Sequence, residues 1–248
     1  MRAATRAAGE DVDHALAASP VEGEWSDGPA NMAAMGATDG DQIETLSGDP
    51  TLVLPEFDDP PEDPLPLLER WLQLADERGV REPRALALAT ADAEGRPSNR
   101  ILLLKQVTPA LVFSGSYESR KGRELKANPR AAGTLYWRET MQQITIEGPV
   151  RRLAEAESDA IFGERPADAR ATTVASRQGT PLDDPAALRR KAAALRSSGE
   201  SPDRPPAWGG FRLDPELIEF WHGSPDRLHR RLLYVKQEGR WTHQRLQP

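Results

Sequence analysis

Cysteine is absent from all 248 residues, which removes disulfides, thiolate nucleophiles and cysteine-held metals from consideration. Histidine is nearly as scarce. His14, His222, His229 and His243 are the only four, and no two stand at metal-ligand spacing. No apolar run approaches the length of a membrane span. The first residues, MRAATRAAGEDVDHALAAS, turn acidic before an apolar stretch can form, so no secretory leader is read there and a cytoplasmic protein is expected. GxGxxG, Walker, GxSxG and HExxH patterns are missing too, which argues against a Rossmann dinucleotide domain, a P-loop, a serine-hydrolase elbow and a zinc-protease helix. No long basic face is present, so a nucleic-acid partner has no support.

The charge that is present is uneven. Residues 1–50 hold ten acidic and two basic side chains, a net −8 out of −7 overall, so the rest is close to neutral. That segment has no sustained period and is expected to be a disordered acidic tail, with one domain over residues 51–248. Within the near-neutral body, local arginine clusters stand out.

The first strong element is a helix near 64–78. Asp63 can cap it, Pro64 suits its first turn and Gly79 can end it. Leu67, Leu68, Trp71, Leu72 and Ala75 recur at helical spacing, so one face is apolar. Beyond it the period shortens. RALALATA (84–91), SNRILLLK (98–105), LVFSG (111–115), AAGTLYW (131–137) and MQQITIEGPVRRL (141–153) read as strands, the last two joined around Glu139 and Thr140. Helices are expected at 119–127, once or twice between 155 and 176, and at 185–196. SSGESPDRPP (197–206) reads as a surface loop. WGGFRL (208–213), LIEFW (217–221), RRLLYV (230–235) and WTHQRL (241–246) return to strand. The sum is α+β: an antiparallel β-barrel with helices outside it.

Several residues can carry chemistry. Ser119 can cap a helix, and Arg120 and Lys121 follow it at once. Two cations at a helix start oppose the dipole unless a phosphate faces them; an ordinary solvated turn is the plainer alternative. In RLHRR (227–231), Arg227, His229 and Arg231 share a face if the segment is extended. An anion opposite would relieve their repulsion, and a polar edge strand that resists aggregation is an equal alternative. Arg100 and Lys105 bracket ILLL, where strand-end charges are usually just solvated. Ideal alternation sets the two on opposite faces, so one site takes both only through a bulge, a twist or a second chain. Gln143 and Gln178 could hydrogen-bond the edge of a polar ring. Trp221 could cover a flat ring, with core filling as its default.

Together these motifs resemble the pyridoxamine 5′-phosphate oxidase family. The resemblance runs through RILLLK (100–105), ESRKGREL and NPRAA (118–132), LYW and QQITIEG (135–148), RP (165–166), SRQ (176–178), WGGFRL, IEFWHG and RLHRR (208–231) and RLQP (245–248). Each piece is weak; the ordered set, covering about 64–248, is specific. The resemblance implies a split β-barrel homodimer with FMN at the subunit interface. It implies FMN contacts from Arg100, Ser114, Gly115, Arg120, Lys121, Gln143, Gln178, Trp221 and Arg231. It implies substrate contacts from Lys105, Arg165, Arg227 and His229, with Arg227 and His229 nearest the chemistry, pairing a carboxylate rather than abstracting a proton.

Departures bear on the substrate. The family places a Tyr four residues before the RP arginine and a Ser four after it, both holding a substrate phosphate. Ile161 and Ala169 stand there instead, a loss of roughly 2–5 kcal/mol toward a phosphate. Gln142 and Gln143 occupy what is an Arg and Gln pair in the family. REPRALALATADAEGRP (81–97), LYWRETMQQI (135–144) and RLQP look closer to the FMN-dependent oxidases of phenazine biosynthesis, whereas Lys105 and WGGF fit the vitamin B6 enzyme. The function so implied is dehydrogenation of a reduced phenazine carboxylate, with hydride passing to the flavin and dioxygen reoxidising it. Oxidation of pyridoxamine or pyridoxine 5′-phosphate is the alternative, and a flavin- or haem-binding module without turnover is the third reading. The partners implied are a small anionic ring, dioxygen and a second copy of the chain, with no membrane and no metal.

Overall fold

The computed structural model describes residues 51–199 and 201–248. The expected acidic tail, residues 1–50, lies outside the described residues.

Helix α1 (Pro64–Glu77) forms where its caps predict. Asp63 accepts a hydrogen bond from Leu65 N at 3.0 Å, and the chain leaves the helix through Gly79 at φ +70°. Gly at a left-handed position avoids the Cβ clash another residue would meet. The face carrying Leu67, Leu68, Trp71, Leu72 and Ala75 is buried. Trp71 is its hub, with the rings of Phe57, Trp137 and Phe220 at 6.0, 6.4 and 5.0 Å. Its Nε1 donates to the buried carboxylate of Glu56. Glu56 sits in a short 3₁₀ turn, Pro55–Phe57, that the hydrophobic period does not reveal.

Among the described residues nine strands follow: β1 (Ala85–Ala91), β2 (Pro97–Leu103), β3 (Leu111–Ser116), β4 (Arg130–Trp137), β5 (Gln142–Arg152), β6 (Trp208–Leu213), β7 (Leu217–His222), β8 (Arg230–Gln237) and β9 (Arg240–Leu246). All pairings are antiparallel. The main path runs β2-β1-β4-β5-β7-β8-β9, and β6 joins β3 to β5. Strand β5 is long enough to serve both parts: 142–147 pair with β7, and 150–152 pair with β6. The sheet does not close, because β2 and β9 end the path without pairing with each other. The expected barrel is therefore realised, within one chain, as an open antiparallel sheet. Strand alternation places Leu86 and Leu88, Leu135 and Trp137, Ile144 and Ile146, Ile218 and Phe220, and Leu232 and Tyr234 in one core beneath α1.

Helices α2 (Arg120–Ala127), α3 (Glu155–Gly163), α4 (Ala167–Ala175) and α5 (Pro185–Ser197) complete the fold. The window 155–176 thus holds two helices, broken at Pro166. Helix α5 packs on α4 and buries none of its residues. Among the described residues no helix is long and apolar enough to cross a membrane.

Candidate functional site

The end of β3 and the start of α2 bring several of the expected residues together. Ser119 caps α2, accepting from Gly122 N at 3.4 Å while its own hydroxyl donates to Ser116 O at 2.7 Å. Lys121 is turned inward and buried, and its Nζ donates to Ser119 Oγ at 3.2 Å. Among the described residues it makes no ion pair. Burial, aided by the nearby charge of Arg100, lowers its pKa to about 8. Gly115 lies under it: a Cβ there would sit 2.3 Å from Nζ. Gln178, just past α4, accepts from Ser116 N at 3.2 Å and so closes the same corner.

Arg120 and Arg100 converge on one residue that pattern reading does not single out, Glu124. Arg120 Nε donates to Glu124 Oε1 at 2.7 Å, and Arg100 Nη2 lies 3.3 Å from Oε2. Glu124 at i+4 from Arg120 was a readable signal. Its partners Thr90 and Ser98, on β1 and β2, were not.

A cavity of about 800 Å³ opens beside this corner, lined by Ser114, Gly115 and Gln178 on one side and by Arg165, Ala169 and Thr173 on the other. The Arg165 guanidinium lies 4.9 Å over the Trp208 ring, and Nη2 donates to Thr173 Oγ1 at 3.3 Å. Among the described residues its buried Nε has no hydrogen-bond partner. Burial lowers the Arg165 pKa, yet arginine keeps its charge. Arg165 is thus a fixed cation with donors to spare, facing space.

A second group is built by strand register. Gln143 pairs with Trp221, which pairs with Arg231, making one row across β5, β7 and β8. His229 packs its ring 4.9 Å from that of Trp221, and its Nδ1 accepts from Ser224 N at 3.1 Å. The neutral ring therefore carries its proton on Nε2. Here the structure corrects the extended reading of 227–231. Arg227 has φ +64°, β8 begins only at Arg230, and Arg227 and His229 belong to the β7 to β8 loop. Nor does Arg231 face an anion unpaired, since it grips Glu219 through Nε (2.7 Å) and Nη2 (3.1 Å). Lys105 stands apart from Arg165. It lines a separate hollow of about 450 Å³ with Glu69, Asp76 and Arg84. Among the described residues no three His, Asp or Glu side chains are grouped to hold a metal ion.

Residues 75–199 match the family described as pyridoxamine 5′-phosphate oxidase, and residues 208–248 match the pyridoxine 5′-phosphate oxidase C-terminal dimerisation region. The dihydrophenazinedicarboxylate synthase of Burkholderia lata is 45% identical over 208 residues, covering 84% of this chain and 98% of that one. The chain belongs to the pyridoxamine 5′-phosphate oxidase family. Another member, the pyridoxine/pyridoxamine 5′-phosphate oxidase of Paraburkholderia phymatum, is 47% identical over 191 residues, covering 75% and 90%. Among solved structures of the family, PhzG from Burkholderia lata in complex with tetrahydrophenazine-1-carboxylic acid matches with a TM-score of 0.78 at 46% identity, covering 80% of this chain and 98% of that one. A pyridoxamine 5′-phosphate oxidase-related, FMN-binding protein from Nostoc punctiforme shares the fold, with a TM-score of 0.62 at 22% identity over 75% and 98%.

Proposed function

We propose that this protein is an FMN-dependent oxidase that dehydrogenates a reduced, carboxylate-bearing phenazine ring and works as a homodimer. The observation that carries the reading is the shared cavity. Arg165, with Ala169 beside it and no further phosphate donor at 161, opens into the same space as Ser114, Gly115 and Gln178. Arg177 also lines that space, but Ile161 and Ala169 stand where the family places hydroxyl donors to a substrate phosphate, which suits a carboxylate better than a phosphate dianion. The similarity to PhzG and to the dihydrophenazinedicarboxylate synthases points the same way.

FMN fits the residues present. Among the described residues Lys121 is a buried cation with no carboxylate paired to it, which is unfavourable unless an anion arrives. The missing side chain at Gly115 leaves backbone that a phosphate can approach. Lys121, Arg120 and Arg100 would hold the phosphate, with Ser114, Gly115 and Gln178 closing around it. Gln143, Trp221 and Arg231 would meet the ring system. FMN held there would supply the hydride acceptor for the substrate and the route of its electrons to dioxygen.

The rest falls to the chain. Arg165, stacked on Trp208, orients the substrate carboxylate and neutralises it. His229 offers Nε2–H as a hydrogen-bond donor, because Nδ1 is held by Ser224 N. Arg227 adds charge from the same loop. The Gln143, Trp221 and Arg231 row lies on other strands than the phosphate corner, and the match to a C-terminal dimerisation region supports a second copy that brings the two together. Exposed Ile101, Leu103 and Tyr136 on β2 and β4 offer apolar surface for it. Lys105 would join Arg165 by the same route.

Anaerobic mixing tests the reading. A reduced phenazine carboxylate should bleach the flavin absorbance of the holoprotein, and pyridoxamine 5′-phosphate should not. The 47% identity to a pyridoxine/pyridoxamine 5′-phosphate oxidase keeps a second reading, in which Lys105 and Arg165 hold a substrate phosphate. Fast bleaching by pyridoxamine 5′-phosphate alone would establish it instead.

A further inference from the structure

Glu124 has only 5% of its side chain exposed and is surrounded by donors. Its Oε2 accepts from Thr90 Oγ1 (2.5 Å), Ser98 Oγ (2.6 Å) and Arg100 Nη2 (3.3 Å), and its Oε1 accepts from Arg120 Nε (2.7 Å). The two hydroxyls are themselves acceptors for Arg100, Thr90 from Nη1 and Ser98 from Nη2. Arg100 Nη1 also reaches Leu88 O at 3.2 Å. Each hydroxyl therefore passes a hydrogen bond from guanidinium to carboxylate, and the network is closed and satisfied. Burial by itself would raise the Glu124 pKa, but the bonds from Ser98, Thr90, Arg120 and Arg100 outweigh it and hold the group down to about 2.

The two arginines are held differently. Both Nη groups of Arg100 are committed inward, so it contributes mainly charge. Arg120 is bound by Nε alone. Its Nη1 and Nη2 edge, the part that grips a phosphate bidentately, stays open while the Nε bond fixes the plane. With Lys121, three cations and one carboxylate leave a net of two positive charges around the corner, the complement of a phosphate monoester dianion.

We infer that Glu124 is a positioning residue for the flavin phosphate: it aims the open edge of Arg120 and fixes Arg100 beside Lys121 without itself touching the cofactor. The inference rests on the FMN reading above. It differs from a merely structural role in one respect: it concerns the phosphate and not the ring.

The test is a fluorescence-quenching titration of apo-protein with FMN and with riboflavin, which has the same ring and no phosphate. Glu124→Gln should raise the Kd for FMN about tenfold, worth ~1.4 kcal/mol, and leave riboflavin affinity unchanged. Ser98→Ala, which removes one of the four donors to Glu124, should produce a smaller loss confined to FMN, and it serves as the test if Glu124→Gln does not fold. An FMN affinity in both variants equal to or tighter than that of the unaltered protein overturns the inference, as does an equal loss of FMN and riboflavin. Failure of the unaltered protein to bind either flavin overturns the FMN reading and the inference with it.

Discussion

The ammonium of Lys121 occupies the space that a side chain at Gly115 would need: a Cβ built on the glycine falls 2.3 Å from Nζ and 3.0 Å from Cε. Gly115→Ala must therefore push the buried cation aside. The expected result is an FMN Kd raised at least about tenfold, since one charge-assisted hydrogen bond to phosphate contributes roughly 1.5–3 kcal/mol. Unchanged FMN uptake, followed by flavin fluorescence, would remove this contact from the cofactor corner.

Lys121 also sets a pH dependence. Its pKa in the folded apo-protein is about 8, against 10.5 for the ordinary side chain. Between those values the unfolded chain holds a proton that the folded one has released, so this group makes stability rise with pH across that window. The penalty for burying the cation is fully present below pH 8. A bound phosphate favours the charged amine, so FMN binding takes up a proton above pH 8. The FMN Kd should then climb from pH 8 to 10, by at most about tenfold per unit. Lys121→Met should flatten both curves, and a wild-type Kd constant over that range would contradict the assignment.

Substrate choice should respond to the cavity wall. Ala169→Ser on that wall, with Ile161→Tyr four residues before Arg165, introduces two hydroxyl donors. Each donor to a charged group contributes roughly 1.5–3 kcal/mol at best, so KM for pyridoxine 5′-phosphate should fall at least about tenfold in the double variant. Steady-state peroxide assays with both substrate types would show it, and an unchanged KM ratio would exclude these positions as determinants.

Arg165→Lys keeps the charge and loses both the planar fork and the stacking on Trp208. KM for a reduced phenazine carboxylate should rise on the order of tenfold, from roughly 0.5–2 kcal/mol of lost cation–π contact and the weaker carboxylate grip. FMN content, read from the flavin absorbance, should be unaffected. Loss of flavin instead would move Arg165 from the substrate side of the cavity to the cofactor side.

The core makes a separate demand. Trp71 is 2% exposed and touches three aromatic rings. Trp71→Ala should destabilise the fold by about 3–5 kcal/mol, visible in urea unfolding. A loss below about 1 kcal/mol would mean that α1 is not the lid of the core.

Nearly every element could be read before the fold was seen, because the signals are local. The caps at Asp63 and Ser119 act within three residues, and strand alternation such as that of β1 repeats every second residue. The site was legible only as a set of cations. That Lys121 is buried and Arg120 exposed follows from which side of α2 meets the sheet. The 3₁₀ turn at Pro55–Phe57 escaped because three residues carry no period.

By itself the sequence determined where most helices and strands lie, to within a residue or two at their ends, and that its positive charges gather in a few places. Apart from the local Arg120–Glu124 pair, tertiary structure decided what each charge meets. Glu124 finds Thr90 and Ser98, 34 and 26 residues away, and Arg231 finds Glu219 through the register of β7 and β8. Backbone preference and hydrophobic period depend on neighbours a few residues apart. The partner of a buried charge depends on strand pairing across the whole chain, and no local pattern encodes it.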